Sequence, residues 1–387
     1  AYRFMGAQPR HFGSELPPMT QTALTVWPTR TVYTFEAAGV RLQLTFLTPL
    51  LPNDLDVMAR PVTYLELQVT SIDDTSHQVE LYVDVSASWT VNAPDQSVVW
   101  GRHQRDSLDL LWIGSLEQPV LAKTGDDLRI DWGYLYVTAF PDQGAMSTVG
   151  RDTLLRRHFV DTGAMFTRDF LDMPRPVGTL PLLVAACAFA LTTVTTAPVT
   201  RQLLIAYDDQ FSVEYMQRRL RPYWRREDMG IGPLIDIALR DYAVLNERCC
   251  AFDQELMADL RQVGGEHYAW LAALAFRQCI AAHKLVIDED GTPLFFSKEN
   301  FSNGCMGTVD VTCPSAPFFL LFNPNLLEAQ LTPVLDYAAS PRWPFPFAPH
   351  DVGQYPIGNG QVYGGGETSE VDQMPVEECG NMLLLVA

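Results

Sequence analysis

The chain has 387 residues, of which 47% are apolar, and a formal net charge of −19. This length and composition can supply a large core and two or more domains. The negative charge argues against nucleic-acid binding, which depends on clustered lysine and arginine side chains that release counterions from phosphates. No apolar run approaches the roughly 18 to 20 residues that span a bilayer.

The cysteine pattern predicts neither disulfides nor structural zinc. Seven cysteines are present, an odd number, and no two of them have the C-x-x-C spacing of paired zinc ligands. We therefore expect mostly buried free thiols, no cofactor and no metal ion.

The first half of the chain has the alternation of half-buried β-strands. In residues 40–46, VRLQLTF, apolar and polar side chains alternate, and VELYVDVSASWTVN at 79–92 extends the pattern from Val79 to Val91. Long strands with one apolar face need a second sheet to cover it. The pattern predicts a large antiparallel β-sandwich over residues 1–210. Residues 181–194, PLLVAACAFALTTV, are apolar on both faces and are expected to form a central strand.

The hydrophobic period changes to that of a helix after residue 210. Residues 211–232 are interpreted as a linker whose five arginines pair with acidic groups rather than bind an anion. Residues 235–260 place apolar side chains three and four apart, and Gly264 and Gly265 are expected to end that helix. A second helix follows at once, which predicts an αα-hairpin.

Further helices are expected at about 314–322 and 325–339, and a last one is expected to begin near Pro375. The loops between these helices carry most of the polar candidates. Because a rigid scaffold commonly displays functional groups on its loops, we expect a site between residues 287 and 380.

The first candidate stretch, LFFSKENFSNGCMGTVDVTCPSAP, links the hairpin to the next helix. It contains Glu299, Asn300, Asn303 and Asp310. Glu299 and the two asparagines are candidates for substrate binding, and Asp310 is a candidate catalytic acid. The alternative for Asp310 is a structural role as a helix cap.

The second stretch, PFAPHDVGQYPIGNGQVYGGG, places His350 next to Asp351 and follows them with glycines and aromatics that can shape a small pocket. In apolar surroundings the pKa of Asp351 would be raised, which suits a general acid. A turn is the structural alternative. His350, Gln354, Tyr355 and Gln361 are candidates for substrate binding.

The third stretch, QMPVEECGNMLLLVA, opens a helix with two adjacent acids, Glu377 and Glu378. Neighbouring side chains on a helix point about 100° apart, so only one of the two can face a pocket. Either acid can instead stabilise the helix N-terminus through the helix dipole. We expect one acid inward and one outward.

Together these stretches give Asp310, Asp351, Glu377 and Glu378 as catalytic candidates on one acid-rich rim. Paired carboxyl groups are what glycosidic cleavage needs, one as general acid and the other as base or nucleophile. Metal binding is the lesser alternative, because the one close His/carboxylate pair is adjacent in sequence and the helices offer no spaced ligand set.

Several long blocks, in order over nearly all of the chain, closely resemble the glutaminase A family of filamentous fungi and bacteria. They include LTFLTPLLPNDLDVMARPVTYLELQVTS, YDDQFSVEYMQRRLRPYWRR, AFDQELMADL, AFRQCIAAHKLV, LFFSKENFSNG, TVDVTCPSAPFFLLFNP, PHDVGQYPIGNGQ and MPVEECGNM. The resemblance implies a central β-sandwich domain followed by a six-hairpin α/α toroid, and hydrolysis of L-glutamine. Many members of the family look secreted, which implies an extracellular or periplasmic location. The His-Asp-x-Gly sequence at 350–353 also resembles a general-acid motif of some toroidal glycosidases.

A toroid of six hairpins needs twelve helices, and the sequence predicts about five after residue 232. We therefore expect residues 233–387 to form an incomplete toroid, completed by the rest of a longer chain. The first hypothesis for the function is hydrolysis of the glutamine side-chain amide, with a small-molecule substrate. One alternative is a glycoside hydrolase with a carboxylate acid/base pair on the same scaffold. The other is a non-catalytic fragment that serves as a binding or structural module.

Overall fold

The computed structural model describes residues 1–6, 16–105, 108–178, 182–299 and 301–387. Its first half consists of antiparallel β-sheets. The strands are β1 (Thr20–Val26), β2 (Arg30–Ala37), β3 (Val40–Leu47), β4 (Val62–Ser71), β5 (His77–Ser86), β6 (Ser97–Arg105), β7 (Leu108–Ser115), β8 (Tyr134–Ala139), β9 (Ala145–Arg151), β10 (Arg175–Pro176), β11 (Leu183–Val194) and β12 (Val199–Asp208). Nine of them form one sheet in the order β1-β2-β3-β4-β12-β8-β7-β6-β10, and the other three form the sheet β5-β11-β9.

The two sheets enclose the main apolar core, as the period-two pattern predicts. Leu42, Leu44 and Leu67 from the large sheet belong to the same buried cluster as Val85 and Phe189 from the small sheet. Strand β11 is the middle strand of the small sheet, and its side chains are buried on both faces from residue 183 to residue 189. The prediction of a central strand there is confirmed.

Strand β5 is shorter than its alternation suggests. It ends at Ser86, and a short 3₁₀ turn over Ala87–Thr90 follows. The Ser86 hydroxyl accepts a hydrogen bond from the Ser88 backbone N–H at 3.1 Å, which stabilises the turn in place of further strand pairing. Trp89, expected on the inner face, is therefore 57% exposed.

The helices are α1 (Leu55–Met58), α2 (Asp152–Thr162), α3 (Ile231–Ala281), α4 (Val309–Phe322), α5 (Pro324–Ala339) and α6 (Pro375–Val386). Helix α3 is broken at Gly265, whose φ of 79° and ψ of −174° are not helical. The Phe252 and Phe276 rings, on opposite sides of the break, lie 5.4 Å apart. Residues 231–264 and 266–281 therefore pack as the predicted antiparallel hairpin, and Gly265 supplies the left-handed conformation that its turn needs.

The hairpin packs directly on the large sheet. The Tyr64 hydroxyl, on β4, donates to the Ala238 carbonyl at 2.9 Å, and the Tyr242 hydroxyl donates to Glu66 at 2.7 Å. Apolar side chains around these bonds, including Leu204 and Ile235, form a second buried cluster.

Residues 211–232 are more ordered than the predicted linker. They contain β13 (Val213–Tyr215) and β14 (Arg218–Pro222), which join a seven-stranded sheet with β15 (His283–Ile287), β16 (Pro293–Ser297), β17 (Cys305–Met306), β18 (Gly353–Gln354) and β19 (Ile357–Gly358). The strand order is β16-β15-β14-β13-β19-β18-β17. Distant partners thus satisfy the backbone of this segment, and periodicity within it could not show them.

The five arginines of this segment all have carboxylate partners, as predicted. Arg218 pairs with Asp288, Arg219 with Glu214, Arg221 with Asp228, Arg225 with Asp208 and Arg226 with Asp56. Three of these partners lie outside the segment, Asp56 and Asp208 before it and Asp288 after it, whereas Glu214 and Asp228 lie within it.

Helix α4 begins at Val309, five residues before the predicted start. Pro314 and Pro317 both lie inside α4. The earlier start places Asp310 in the first turn. Helix α6 begins at Pro375, where the sequence predicts it.

Candidate active site

Three separate segments meet around a small group of ionisable side chains. Asp310 lies in the first turn of α4, His350 and Asp351 precede β18, and Glu378 lies in the first turn of α6. One side-chain oxygen or nitrogen from each of Asp310, His350 and Glu378 lies within 4.8 Å of the other two. We call these three residues the acid cluster.

Asp351 contacts the acid cluster through His350 and is itself held by backbone hydrogen bonds. Its Oδ1 accepts the backbone N–H groups of Gly353 and Val362, at 2.9 and 3.1 Å. Its Oδ2 accepts the Tyr363 backbone N–H at 3.2 Å and is 2.9 Å from His350 Nδ1. The predicted apolar surroundings of Asp351 are wrong, since four donors surround a completely buried carboxyl group. Asp351 is therefore built to position His350.

His350 is held on three sides. Its Nδ1 contacts Asp351, its backbone N–H donates to Gln361 Oε1 at 2.8 Å, and its ring stacks on Tyr363 with 4.1 Å between centroids. Burial by itself lowers the pKa of His350, but the hydrogen bond to Asp351 and the negative charges of Asp351 and Asp310 outweigh burial and raise the pKa. Because Nδ1 contacts Asp351, Nε2 is the ring nitrogen that remains available to Asp310 and Glu378.

Glu378 is the inward member of the adjacent acid pair. It is 1% exposed, whereas the side chain of Glu377 is exposed. Glu378 Oε1 has no hydrogen-bond partner among the described residues, and Oε2 has only a long contact of 3.5 Å from Asn381. Burial raises the pKa of Glu378 to about 7; His350 opposes this effect and Asp310 adds to it.

Two carboxyl oxygens at the site, besides Glu378 Oε1, lack hydrogen-bond partners among the described residues. Asp310 Oδ1 and Glu299 Oε2 are buried and have no hydrogen-bond partner within the described part of the chain. Burial raises the pKa of Glu299, and the charge of Asp310 raises it further. Buried polar atoms are nearly always paired in native proteins, so unpaired atoms at one place indicate a site that binds something.

The other predicted binding residues hold loops together. Gln354 Nε2 donates to the Asn303 carbonyl at 2.5 Å, and Asn303 Oδ1 accepts the Cys305 N–H at 2.9 Å. The Lys298 ammonium lies 5.0 Å from the centre of the Tyr355 ring. These contacts connect the loop before α4 with the loop around β18, and thereby hold Asp310 and His350 in place. Asn300 lies outside the described residues.

Gln361 also has a positioning role. Besides accepting from His350, its side-chain Nε2 donates to the Tyr363 carbonyl at 3.0 Å and to Gln373 Oε1 at 2.7 Å. Its backbone N–H donates to the Tyr337 hydroxyl at 2.9 Å. Sequence reasoning missed Tyr337 and Tyr363. Tyr363 lies two residues after Gln361 in a glycine-rich stretch that was singled out, and its aromatic ring there was the available signal.

Comparisons with known proteins agree with this architecture. Residues 29–259 match a domain of unknown function, DUF5127, and residues 265–387 match the glutaminase A six helical-hairpin domain. The chain belongs to the glutaminase A family. The family model of the second segment and the antiparallel sheets of the first half confirm the predicted fold class.

Members of this family with assigned names include two fungal proteins. Glutaminase A of Aspergillus oryzae is 28% identical over 390 residues, which cover 99% of this chain and 54% of the relative. A probable glutaminase of Arthroderma benhamiae is 28% identical over 365 residues, which cover 90% of this chain and 41% of the relative. The chain spans about half the length of these curated relatives.

A solved structure of a putative kojibiose phosphorylase from the human microbiome matches 80% of this chain and 34% of its own length, at 12% identity and a TM-score of 0.39.

Among the described residues of this chain, no helix is both long and apolar enough to cross a membrane.

Proposed function

We propose that the protein hydrolyses the side-chain amide of L-glutamine. The observation that carries the proposal is the acid cluster, in which the buried Glu378 and the half-buried Asp310 lie within 4.8 Å of an oriented imidazole. Each carboxyl group has an oxygen without a hydrogen-bond partner among the described residues. The names of the two fungal relatives support glutamine as the substrate. The proposed activity is that of the whole protein, since this chain spans about half of each relative.

The residues at the site suggest a division of roles. Asp310 accepts a proton from the attacking water, whose oxygen forms a bond to the amide carbon. Glu378, buried and without a partner at Oε1 among the described residues, donates a proton to the leaving nitrogen as the C–N bond breaks. The products are glutamate and ammonia. Asp351 keeps the His350 ring oriented beside both carboxyl groups.

Cleavage of a glycosidic bond is a second candidate, because it also requires two carboxyl groups beside the scissile bond. The nearest oxygens of Asp310 and Glu378 lie within 4.8 Å. This upper bound lies below the roughly 6.5 to 9.5 Å of inverting glycosidases and is nearer to the roughly 5 to 5.5 Å of retaining ones. A sugar substrate would therefore favour a retaining reaction, with Glu378 as acid and Asp310 as nucleophile.

The test is ammonia release from L-glutamine by the full-length protein, with Glu378→Gln and the matched variant Glu377→Gln. Removing a proton-transferring group typically lowers the rate by about 10²-fold to 10⁴-fold. We expect a loss of at least about 100-fold in kcat for Glu378→Gln and wild-type rates for Glu377→Gln, whose side chain is exposed.

Full activity of Glu378→Gln would contradict the assigned role. A wild-type protein that releases no ammonia but cleaves aryl glycosides would replace the first candidate with the second. Inactivity on both substrate classes would favour a binding or structural module.

The exposed apolar side chains of α6 bear on the partner of this chain. Leu383, Leu384 and Val386 are each more than 60% exposed. Apolar surface of this kind commonly marks a contact with another polypeptide segment. We propose that further hairpins of the toroid cover it, and that the complete protein works outside the cytoplasm, as the family resemblance implies. Cell fractionation tests the location.

A further inference from the structure

We propose that Asp310, His350 and Glu378 together bind one divalent cation of the Zn²⁺ or Mn²⁺ class. The acid cluster combines one imidazole nitrogen with two carboxylate oxygens, a ligand set that suits these ions. Its members come from α4, from the loop before β18 and from α6, so the site forms only when the chain is folded.

The ligand atoms are close enough to share one ion. Zinc binds histidine nitrogen and carboxylate oxygen at about 2.0 to 2.2 Å in tetrahedral geometry, so its ligand atoms are about 3.3 to 3.6 Å apart. The three atoms of the acid cluster lie within 4.8 Å of one another. Side-chain rotations that move the two carboxyl oxygens by up to about 1 Å therefore bring all three atoms into range.

The unpartnered oxygens provide an independent reason for a cation. Asp310 Oδ1 and Glu378 Oε1 are buried with no hydrogen-bond partner in the described residues, and the whole Glu378 residue is 1% exposed. A buried carboxylate without a partner is costly, and native proteins usually pair such a charge or coordinate it to a metal. A cation between these two oxygens and His350 supplies the missing partner to both.

The surroundings of His350 are those of a metal-binding histidine. Its Nδ1 is 2.9 Å from Asp351 Oδ2, and the stacked Tyr363 ring fixes its plane. Histidine ligands almost always donate their second ring N–H to a carboxylate or carbonyl, which fixes the tautomer and directs the other nitrogen to the metal. Asp351 accordingly holds Nε2 toward Asp310 and Glu378.

The number of ligands distinguishes between ions. Three protein ligands with an open position are typical of zinc sites that also bind water or substrate. Calcium takes six to eight oxygen ligands and magnesium prefers oxygen ligands with near-octahedral geometry, so a nitrogen-containing set of three favours Zn²⁺ or Mn²⁺ over both.

A second group, Cys305, His350 and Asp351, has similar spacing but is a poorer site. Asp351 already accepts from four donors, so metal binding there would break existing hydrogen bonds. Burial and the neighbouring Asp351 also raise the pKa of the Cys305 thiol strongly, and metals bind the thiolate form.

Cation binding does not depend on the proposed glutaminase activity, because it is measured without substrate. Protein that binds the cation but does not hydrolyse glutamine would support this inference and contradict the proposed function. Because a bound cation would keep Glu378 ionised, the proton donation proposed for Glu378 requires the cation-free protein. Ammonia release is therefore assayed on chelator-treated protein, and Zn²⁺ bound at the acid cluster should inhibit it.

The experiment is calorimetric titration of the full-length protein, stripped with chelator and returned to chelator-free buffer, with Zn²⁺ alone. We expect one equivalent to bind. Loss of one ligand in Glu378→Gln or Asp310→Asn should weaken the affinity by at least about tenfold, since loss of even an outer partner costs about 10-fold to 100-fold. Glu377→Gln should bind as the wild type does.

Absence of stoichiometric Zn²⁺ binding would overturn the proposal. Equal binding by wild type and Glu378→Gln would also overturn it, since the ion would then lie elsewhere on the protein. Tighter binding of Ca²⁺ than of Zn²⁺ would overturn the assigned class of ion. Circular dichroism of each variant confirms that it is folded, and the Glu378→Gln and Asp310→Asn results serve as independent checks on each other.

Discussion

Asp253 and Glu378 are equally buried carboxyl groups on helices, but their surroundings differ. Asp253, on α3, accepts the Thr29 N–H at Oδ1 and both the Thr29 hydroxyl and Arg30 Nε at Oδ2, each at 2.9 Å. Glu378 has no partner at Oε1 within the described ranges. Asp253 connects the hairpin to the β-sandwich through these hydrogen bonds. Glu378 makes no such connection, and its Oε1 has no hydrogen-bond partner among the described residues. Satisfaction of a buried acid, rather than its burial, separates a structural role from a functional one.

Removing the charge of Asp253 should have the largest effect on stability. Asp253→Asn leaves Arg30 and the Thr29 N–H facing an amide with only one acceptor oxygen, and breaking a buried ion pair typically costs about 3 to 5 kcal/mol. We expect a loss of this size in the free energy of unfolding from urea titration. Asp259→Asn, on an exposed part of the same helix, is the control and should change little. A small effect at Asp253 would break the comparison.

His283 tests an unpartnered atom outside the acid cluster. Its Nδ1 contacts the Cys279 carbonyl, its ring stacks on Phe295, and its buried Nε2 has no partner among the described residues. Burial lowers the pKa of His283 from its usual 6.5 to about 4. The unfolded chain therefore takes up a proton between these values that the folded protein does not, and acidification destabilises the fold.

The expected loss of stability from His283 between pH 6.5 and pH 4 is up to about 3 kcal/mol. His283→Gln should remove this dependence, so its unfolding free energy should fall less on acidification than that of the wild type. His267→Gln, at an exposed position, is the control. Parallel pH profiles for wild type and His283→Gln would show that His283 takes up its proton without unfolding.

Glu378→Gln should have the smallest effect on stability of the three. The carboxyl group makes only the 3.5 Å contact with Asn381 among the hydrogen bonds of the described residues. Its replacement by an amide of the same shape should therefore change the unfolding free energy of chelator-treated protein by less than about 1 kcal/mol. A loss as large as that of Asp253→Asn would mean that Glu378 is structural, and would remove the distinction drawn between the two acids.

Much of the candidate site could be predicted, but not its assembly. Helical geometry predicts that one of Glu377 and Glu378 faces inward, and the structure selects Glu378. The sequence shows that His350 and Asp351 are adjacent, but it does not show that Asp351 positions His350 while His350 belongs to the acid cluster. The donors around Asp351 come from residues 353, 362 and 363, through backbone groups that carry no side-chain signal. Sequence spacing likewise could not bring Asp310 to Glu378, 68 residues away, because two separate helix N-termini have to converge.

The sequence by itself determined the β-sandwich, the αα-hairpin with its break at Gly265 and the start of α6 at Pro375, because periodicity and glycine or proline conformation are local properties. Tertiary structure alone decided that residues 213–222 pair in a sheet with residues 283–297 and 353–358, and that Asp310, His350 and Glu378 share one buried space. Local patterns specify which face of an element is buried. They do not specify which distant segment covers that face, and hence which ionisable groups meet there.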